Sequence, residues 1–473
     1  MACICLGVRV KFYNRKNEVG LIKRILNAEG TRFVIVKGIR RIGKTRIILE
    51  MLKQKNYAYI FIPKDKTTGS FLEETSNELN IPKFTKITDF LRYVFDKYEF
   101  VFMDEFQNFT YLDKSTYSDM QKLLDEFKRD GKKICIFVAG SSYSLMNKIF
   151  SDYSKALYGR RDIEITLGEL DIIDIFKLLD DLGIKDFQDK IKFWSVFGGI
   201  PKFYELVEIL SPNSFEEFIE ITFSTNFRSW LDEGNTILKS EFGGEYKTYY
   251  TVMEAIAYGK TKLSEISSVF GNNATQTNRY LTMLRKEYNL VMRADPLISR
   301  KSRLGTYATK NNFFNFWFRF VKKHESYHEQ KRTKEIVEFF KENFNSYLGA
   351  AFELLCKELL KENIIMPSCA FTKTGRQWGH IKEKPKGQNA YEIDIVALNE
   401  KTKEILFCEC KWKNKVNAEK VLAELKEKAQ HVQWNNQKRK EHYAVFAKSF
   451  SKKVKEENVH CFDLKDLEKA FKK

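Results

Sequence analysis

Four short apolar runs recur along the first 142 residues: RFVIVKG (32–38), YAYIFIP (57–63), EFVFMDEF (99–106) and KKICIFVAGSS (132–142). Helix-like stretches separate them, and NRKNEVGLIKRIL (14–26) opens the series as an amphipathic helix. Near-continuous apolar strands alternating with helices predict a parallel sheet covered on both faces. After Leu167 the period changes. ELDIIDIFKLLDDLG and SFEEFIEITF carry apolar residues at i, i+3 and i+4, which predicts helices. From Tyr246 three helix-sized segments follow, YKTYYTVMEAIAYG, KLSEISSVFG and NATQTNRYLTMLRKEYN, with turn signals at Gly259 and Gly271 and apolar runs behind them. Three helices and a small hairpin is the layout of a winged helix. A last block starts with a helix, continues as a strand pair and ends Lys-rich.

At 473 residues the chain exceeds one compact core, and this pattern divides it at 1–166, 167–243, 244–328 and 329–473. Lys+Arg number 81 against 63 Asp+Glu, a formal charge of +18. Such an excess favours a polyanionic partner, DNA first, over a merely solubilising Lys-rich surface. The eight cysteines include no CxxC pair, which argues against a zinc ribbon. The C-x-C pairs Cys3/Cys5 and Cys408/Cys410 sit in strand-like apolar runs and read as buried structural thiols. MACICLGVRV is too short for a secretory apolar region, and no stretch approaches a membrane span. The expectation is a cytoplasmic protein without a membrane partner.

The first apolar strand leads into Gly38, Ile39, Arg40, Arg41, Ile42, Gly43, Lys44, Thr45 and Arg46, which contain the pattern G-x-x-x-x-G-K-[ST] between a strand and a helix. Glycines let backbone N–H groups turn toward phosphate oxygens, and the helix beginning at Lys44 adds its positive end. Lys44 reaches the β and γ phosphates of ATP, and the Thr45 hydroxyl ligates Mg²⁺. The run FVFMDEF supplies the acids that such a loop needs: Asp104 for the magnesium shell and Glu105 to polarise water. The strand inserted at 57–63 argues for the additional-strand class of P-loop ATPase. Ser141, at the end of FVAGSS, is a candidate sensor of the γ phosphate; a plain Ser-rich loop is the alternative there.

The series FYNRKNE (12–18), GIRRIGKT, DEFQNF, AGSS, LYGRRD (157–162) and FGGIPKFY (197–204) resembles the archaeal ATPases related to the AAA+ and STAND NTPases, over about 1–325. The resemblance implies that Pro201 lies near the nucleotide, that Asn14 and Arg15 lie near its base, and that Arg160 acts on the γ phosphate. Around an apolar stripe of Tyr280, Leu281 and Leu284, the helix 274–287 carries Thr275, Gln276, Asn278 and Arg279, which suit a major groove. A packing lid or protein contact is the alternative.

In YEIDIVAL (391–398) and ILFCECKW (405–412) a hairpin would bring Asp394 near Glu409 and Lys411, since alternation sends the last two to one face. This resembles the PD-(D/E)xK nuclease motif, with Ile393-Asp394 where Pro-Asp is expected. Asp394 and Glu409 are hard oxygen ligands for Mg²⁺ and Lys411 can orient a metal-bound water. Glu353, in YLGAAFELLCKELL (347–360), takes the place of the first acid of these nucleases. The plain alternative is an edge strand decorated with charges.

The combined expectation is an α/β protein: a P-loop additional-strand ATPase core with a helical lid, a winged-helix domain and a C-terminal α/β restriction-endonuclease-like domain. ATP and Mg²⁺ are its expected cofactors, DNA its expected partner, and a homo-oligomer stays open. The competing function is a signalling ATPase whose C-terminal domain is a non-catalytic docking module.

Overall fold

The computed structural model describes residues 12–224, 232–298, 304–330, 332–366, 369–381, 384–385 and 388–472. Cys3 and Cys5 lie outside the described residues. The first five strands are β1 (Thr31–Lys37), β2 (Tyr57–Phe61), β3 (Phe100–Asp104), β4 (Ile134–Ala139) and β5 (Ile163–Thr166). They form one all-parallel sheet in the order β2-β3-β4-β1-β5. Alternation along β1 explains its two covers. Val34 and Val36 join the core with Ile22, Ile25, Ile47 and Ile48 of the helices Lys16–Leu26 and Lys44–Leu52. Phe33 and Ile35 join Phe71, Phe90, Leu91 and Leu124 on the other face. Strand β5 was not legible beforehand: IEIT is short and half polar, and sits at the sheet edge.

Helices Ile172–Asp181, Phe187–Phe197, Pro201–Leu210, Phe215–Ser224 and Glu233–Phe242 follow, packed into the same core as the first face. Next come Tyr246–Ala257, Leu263–Ser267 and Ala274–Lys286, then an antiparallel ribbon of β6 (Val291–Ala294) and β7 (Thr306–Thr309).

A 29-residue helix, Thr333–Lys361, leads into the C-terminal sheet. Its strands are β8 (Lys373–His380), β9 (Ala390–Asn399), β10 (Glu404–Lys411), β11 (Lys440–Ala447) and β12 (Val459–Phe462), in the order β12-β11-β10-β9-β8. The segment β8-β9-β10 is antiparallel, while β11 and β12 run parallel to β10. Leu355, Cys356 and Leu359 of the long helix cluster with Leu406, Cys408 and Cys410, so both thiols of the second C-x-C pair are buried. Leu422, Leu425 and Ala429 of the helix Ala418–Gln430 cover the other face.

Among the described residues, several contacts tie this sheet and its long helix to the rest of the chain. Tyr347 Oη donates to Ser195 O at 2.6 Å. Phe471 stacks on Phe176 with ring centroids 4.6 Å apart. Leu297 N donates to Arg376 O at 3.0 Å and Trp378 Nε1 to Leu304 O at 2.9 Å, so the ends of the β6–β7 connection cover the outer edge of β8. No helix among the described residues is long and apolar enough to cross a membrane.

Candidate functional sites

The loop between β1 and the helix Lys44–Leu52 is strained as phosphate cradles are. Gly38 sits at φ +154°, and a Cβ there would fall 2.8 Å from Leu167 O. Arg41 and Gly43 are left-handed, at φ 70° and 96°. Lys44 is buried, and its Nζ donates to Gly38 O at 2.8 Å and Ile39 O at 3.1 Å. Burial lowers its pKa, opposed by the charges of Glu105, Asp104 and Glu241. The ammonium therefore sits inside the loop with backbone carbonyls as its hydrogen-bond partners, a position from which phosphate oxygens can recruit it. Space is open over Gly43, where a Cβ would meet nothing within 4 Å. These features fit a nucleotide triphosphate.

The acids at the end of β3 lie against the loop. Thr45 Oγ1 donates to Asp104 Oδ2 at 2.5 Å. Burial raises the Asp104 pKa, with the Thr45 hydroxyl acting against it. Glu105 has a left-handed backbone, φ 55°, which turns the chain out of the strand. Its Oε2 accepts from Ser141 Oγ at 2.7 Å and from Gln107 Nε2 at 2.6 Å. Strand ends β3 and β4 thus hold the carboxylate between them. Gln107 was not legible as a site residue; its room depends on Gly140, where a Cβ would lie 2.3 Å from Gln107 Oε1.

The remaining expected residues divide. Arg15 is buried and its Nη2 donates to Ile42 O at 2.8 Å and Gly168 O at 3.0 Å, so it braces the phosphate loop from behind. Asn14 Nδ2 donates to the Asp174 carboxylate. Arg46 lies near Tyr13. Pro201 opens its helix at the first turn, and its neighbour Ile200 shares a small cavity with Ile39, Arg40, Ile237 and Glu241. Arg160 needs correction. It pairs with Asp125 at 3.1 Å, and Asp162 N donates to Phe33 O, which puts this segment at the amino-terminal edge of the sheet. The phosphate loop leaves β1 at the opposite edge, about 20 Å of strand away. Arg160 does not reach the phosphate loop of its own chain.

Two acids from the helix Glu233–Phe242 were not foreseen. Glu233 pairs with Arg41 at 2.5 Å. Glu241 Oε1 accepts from Tyr143 N at 3.2 Å and Oε2 from Ser142 Oγ at 3.3 Å. Burial pushes Glu241 up to about 7. In sequence both look like ordinary acids of a polar helix; only the fold lays that helix over the loop.

A second cluster lies on the C-terminal sheet. Cys408 pairs with Ile395, so Glu409 comes one step beyond, beside Asp394. Asp394 Oδ2 accepts from Cys410 N at 2.8 Å. Burial and then the Glu409 charge raise the Asp394 pKa. Lys411 Nζ donates to Glu409 Oε1 at 2.8 Å; burial works against its charge, but the Glu409 carboxylate prevails and raises its pKa. Burial and the Asp394 charge push Glu353 up to about 7 against the pull of Arg376, which lies 3.5 Å away. The hairpin and the helix Thr333–Lys361 thus bring Glu353, Asp394, Glu409 and Lys411 into one electrostatic cluster. Lys428, from the helix Ala418–Gln430, also reaches Glu409, at 3.0 Å from Oε1 and 3.2 Å from Oε2. Among the described residues no group of three or more His, Cys, Asp or Glu side chains is arranged to hold a metal ion. The pair expected to ligate Mg²⁺, Asp394 and Glu409, stands side by side, with Asp394 on a backbone donor, Glu409 on two lysines and Glu353 facing Arg376.

One cleft of about 2110 Å³ runs between the three-helix unit and the C-terminal sheet. Its walls include Lys262, Thr275 and Asn278 on one side and Glu353, Arg376 and Asp394 on the other.

Comparison with known proteins agrees with the first site. Residues 12–208 match the family model of an ATPase domain predominantly from Archaea. Residues 317–422 match a family of archaeal and bacterial proteins of unknown function; this span holds Glu353, Asp394, Glu409 and Lys411 and stops short of Lys428. An uncharacterized protein of Methanocaldococcus jannaschii is 29% identical over 466 residues, 96% of this chain and 100% of that protein. Among solved structures, a Walker-type ATPase of Pyrococcus abyssi superposes with a TM-score of 0.51 at 16% identity, covering 66% of this chain and 97% of its own. The ORC2 protein of Aeropyrum pernix gives a TM-score of 0.41 at 13% identity over 68% of this chain and 95% of its own. Strand order, the strained loop with its buried lysine, and the family match to residues 12–208 together make the N-terminal part of this chain a P-loop ATPase domain.

Proposed function

We propose that ATP binding and hydrolysis in the P-loop core control a DNA-acting unit made of a winged helix and a restriction-endonuclease-like C-terminal domain. The observation that carries the reading is the shared cleft: Thr275 and Asn278 of the helix Ala274–Lys286 and the acids Glu353 and Asp394 line one space. A strand laid there meets groove-reading side chains and a hydrolytic patch together. The charge of +18 supports a phosphate-rich partner.

In the core, Lys44 leaves the carbonyls of Gly38 and Ile39 for phosphate oxygens. Thr45 and Asp104 would hold Mg²⁺, which neutralises phosphate charge when bound. Glu105 must exchange its Ser141 and Gln107 donors for the attacking water, so those two side chains keep the base parked until nucleotide arrives. Nucleotide state reaches the winged helix through the small cavity, which Ile39 and Arg40 share with Tyr288, Leu290 and Asn311.

In the C-terminal domain Asp394 and Glu409 would hold Mg²⁺, whose role is to activate water and neutralise phosphate charge. Lys411, fixed by Glu409, orients that water, and Glu353, titrating near neutrality, can take or give a proton. A second reading has its own support. The two lysines on Glu409 favour a docking module that grips nucleic acid or a protein without cutting.

One preparation separates the readings. ATP turnover and Mg²⁺-dependent nicking of plasmid DNA are measured on wild type, Lys44→Ala and Lys411→Ala. The nuclease reading expects turnover to vanish in the first variant and nicking in the second. Nicking that survives Lys411→Ala comes from elsewhere, and none in wild type leaves the docking module.

A further inference from the structure

Glu409 carries more positive charge than an E-x-K strand explains. Its side chain is 7% exposed, and both of its oxygens are occupied. Oε1 accepts from Lys411 at 2.8 Å and from Lys428 at 3.0 Å, while Oε2 accepts from Lys428 at 3.2 Å. An ionised carboxylate offers about four acceptor positions, and three are filled here. A divalent cation on Glu409 would meet two ammonium groups close by, and neither can serve as a ligand.

The two lysines are not equivalent. Lys411 shares the face of β10 with Glu409 and touches one oxygen. Lys428 comes from a separate helix and straddles both oxygens, where a bidentate cation would sit. It adjoins buried Ala429 and lies three residues after buried Leu425, at the margin of that helix's apolar stripe. Its side chain is 30% exposed, so four methylenes can carry the ammonium from the site into water.

We propose that Lys428 is an internal counter-cation that occupies the metal position of Glu409 and must leave before a divalent ion can load. This rests on the metal-binding reading of the C-terminal site. It makes Lys428 a positioning residue that sets metal affinity. Removing Lys428 strips a competitor; removing Glu409 strips a ligand.

The test is calorimetric titration of the full-length protein with Mn²⁺ in the absence of DNA. Lys428→Met keeps the length and apolar stem without the charge, and should bind Mn²⁺ at least about tenfold more tightly than wild type, the scale on which groups around metal ligands act. Lys428→Arg keeps the cation and should stay within about threefold of wild type by the same scale. Glu409→Gln should lose the C-terminal binding event, and Lys44→Ala without nucleotide should retain it, which assigns the heat to this site. Equal affinity in wild type and Lys428→Met, or weaker binding in the variant, overturns the role of Lys428 while leaving the metal site standing. Absence of Mn²⁺ binding in wild type and both Lys428 variants overturns the metal site and the proposal with it.

Discussion

Replacing Glu241 by Gln should stabilise the protein in a pH-dependent way. The Glu241 carboxylate is 8% exposed and accepts from Ser142 Oγ and Tyr143 N at 3.3 and 3.2 Å. Burial pushes its pKa from 4.5 up to about 7, and these bonds and Lys44 offset that only in part. A carboxyl group whose folded pKa exceeds its unfolded one binds more protons folded than unfolded. Stability therefore falls as pH rises from about 4.5 to about 7 and stays low above it. At about 1.4 kcal/mol per pH unit, the whole interval amounts to about 3 kcal/mol. At pH 5 about 1 kcal/mol of that cost is already present, so about 2–3 kcal/mol separates pH 5 from pH 8.5. Glu241→Gln keeps an acceptor for Tyr143 N and removes the titrating charge. Paired thermal scans of wild type and variant at the two pH values read the difference. The gain in midpoint should be roughly 5–10 °C larger at pH 8.5 than at pH 5, for an unfolding unit of about 200 residues. The same gain at both pH values, or a loss at pH 8.5, would refute the reasoning, because the carboxylate would then be solvated or fully paired with Lys44.

Lys44→Ala should weaken ATP binding about a hundredfold or more, since charge-assisted bonds to phosphate contribute about 1.5–3 kcal/mol each; an unchanged Kd by calorimetry would remove the phosphate-loop assignment. Glu105→Gln should keep ATP bound and stop its turnover, because the carboxylate serves the water and not the phosphates; a wild-type rate of phosphate release would put the base elsewhere. DNA affinity should fall steeply between 50 and 200 mM salt, by about a thousandfold if six phosphates are contacted; a flat response points to a protein partner.

The ATPase core was legible because its signals are local. The loop from Gly38 to Thr45, the apolar strands and the pair Asp104-Glu105 are each contiguous, and the sheet assembles them in the order that parallel strands allow. The hairpin of β9 and β10 was legible for the same reason, from alternation and a turn. Strand β8 was not: KTGRQWGH has two glycines, little apolar alternation and an edge position that the Leu297 and Leu304 contacts cover. Glu233, Glu241 and Lys428 were out of reach because each gains meaning only from a partner far along the chain: Arg41, Tyr143 and Glu409. Arg160 shows the reverse error. The family resemblance implied a phosphate contact, but its place before β5 sends it to the opposite end of the strands from the phosphate loop.

The claim that nucleotide state governs the C-terminal site can be met with one measurement: the initial rate of Mg²⁺-dependent nicking of a single plasmid by Glu105→Gln, nucleotide-free and saturated with ATP. This variant holds ATP without consuming it, so the two states are stable during the assay. The rate should differ at least about fivefold between them, the coupling of about 1 kcal/mol at which linked sites begin to act as a switch. Identical rates in the two states, with nicking still abolished by adding Lys411→Ala, would mean that the nuclease works and the ATPase does not control it.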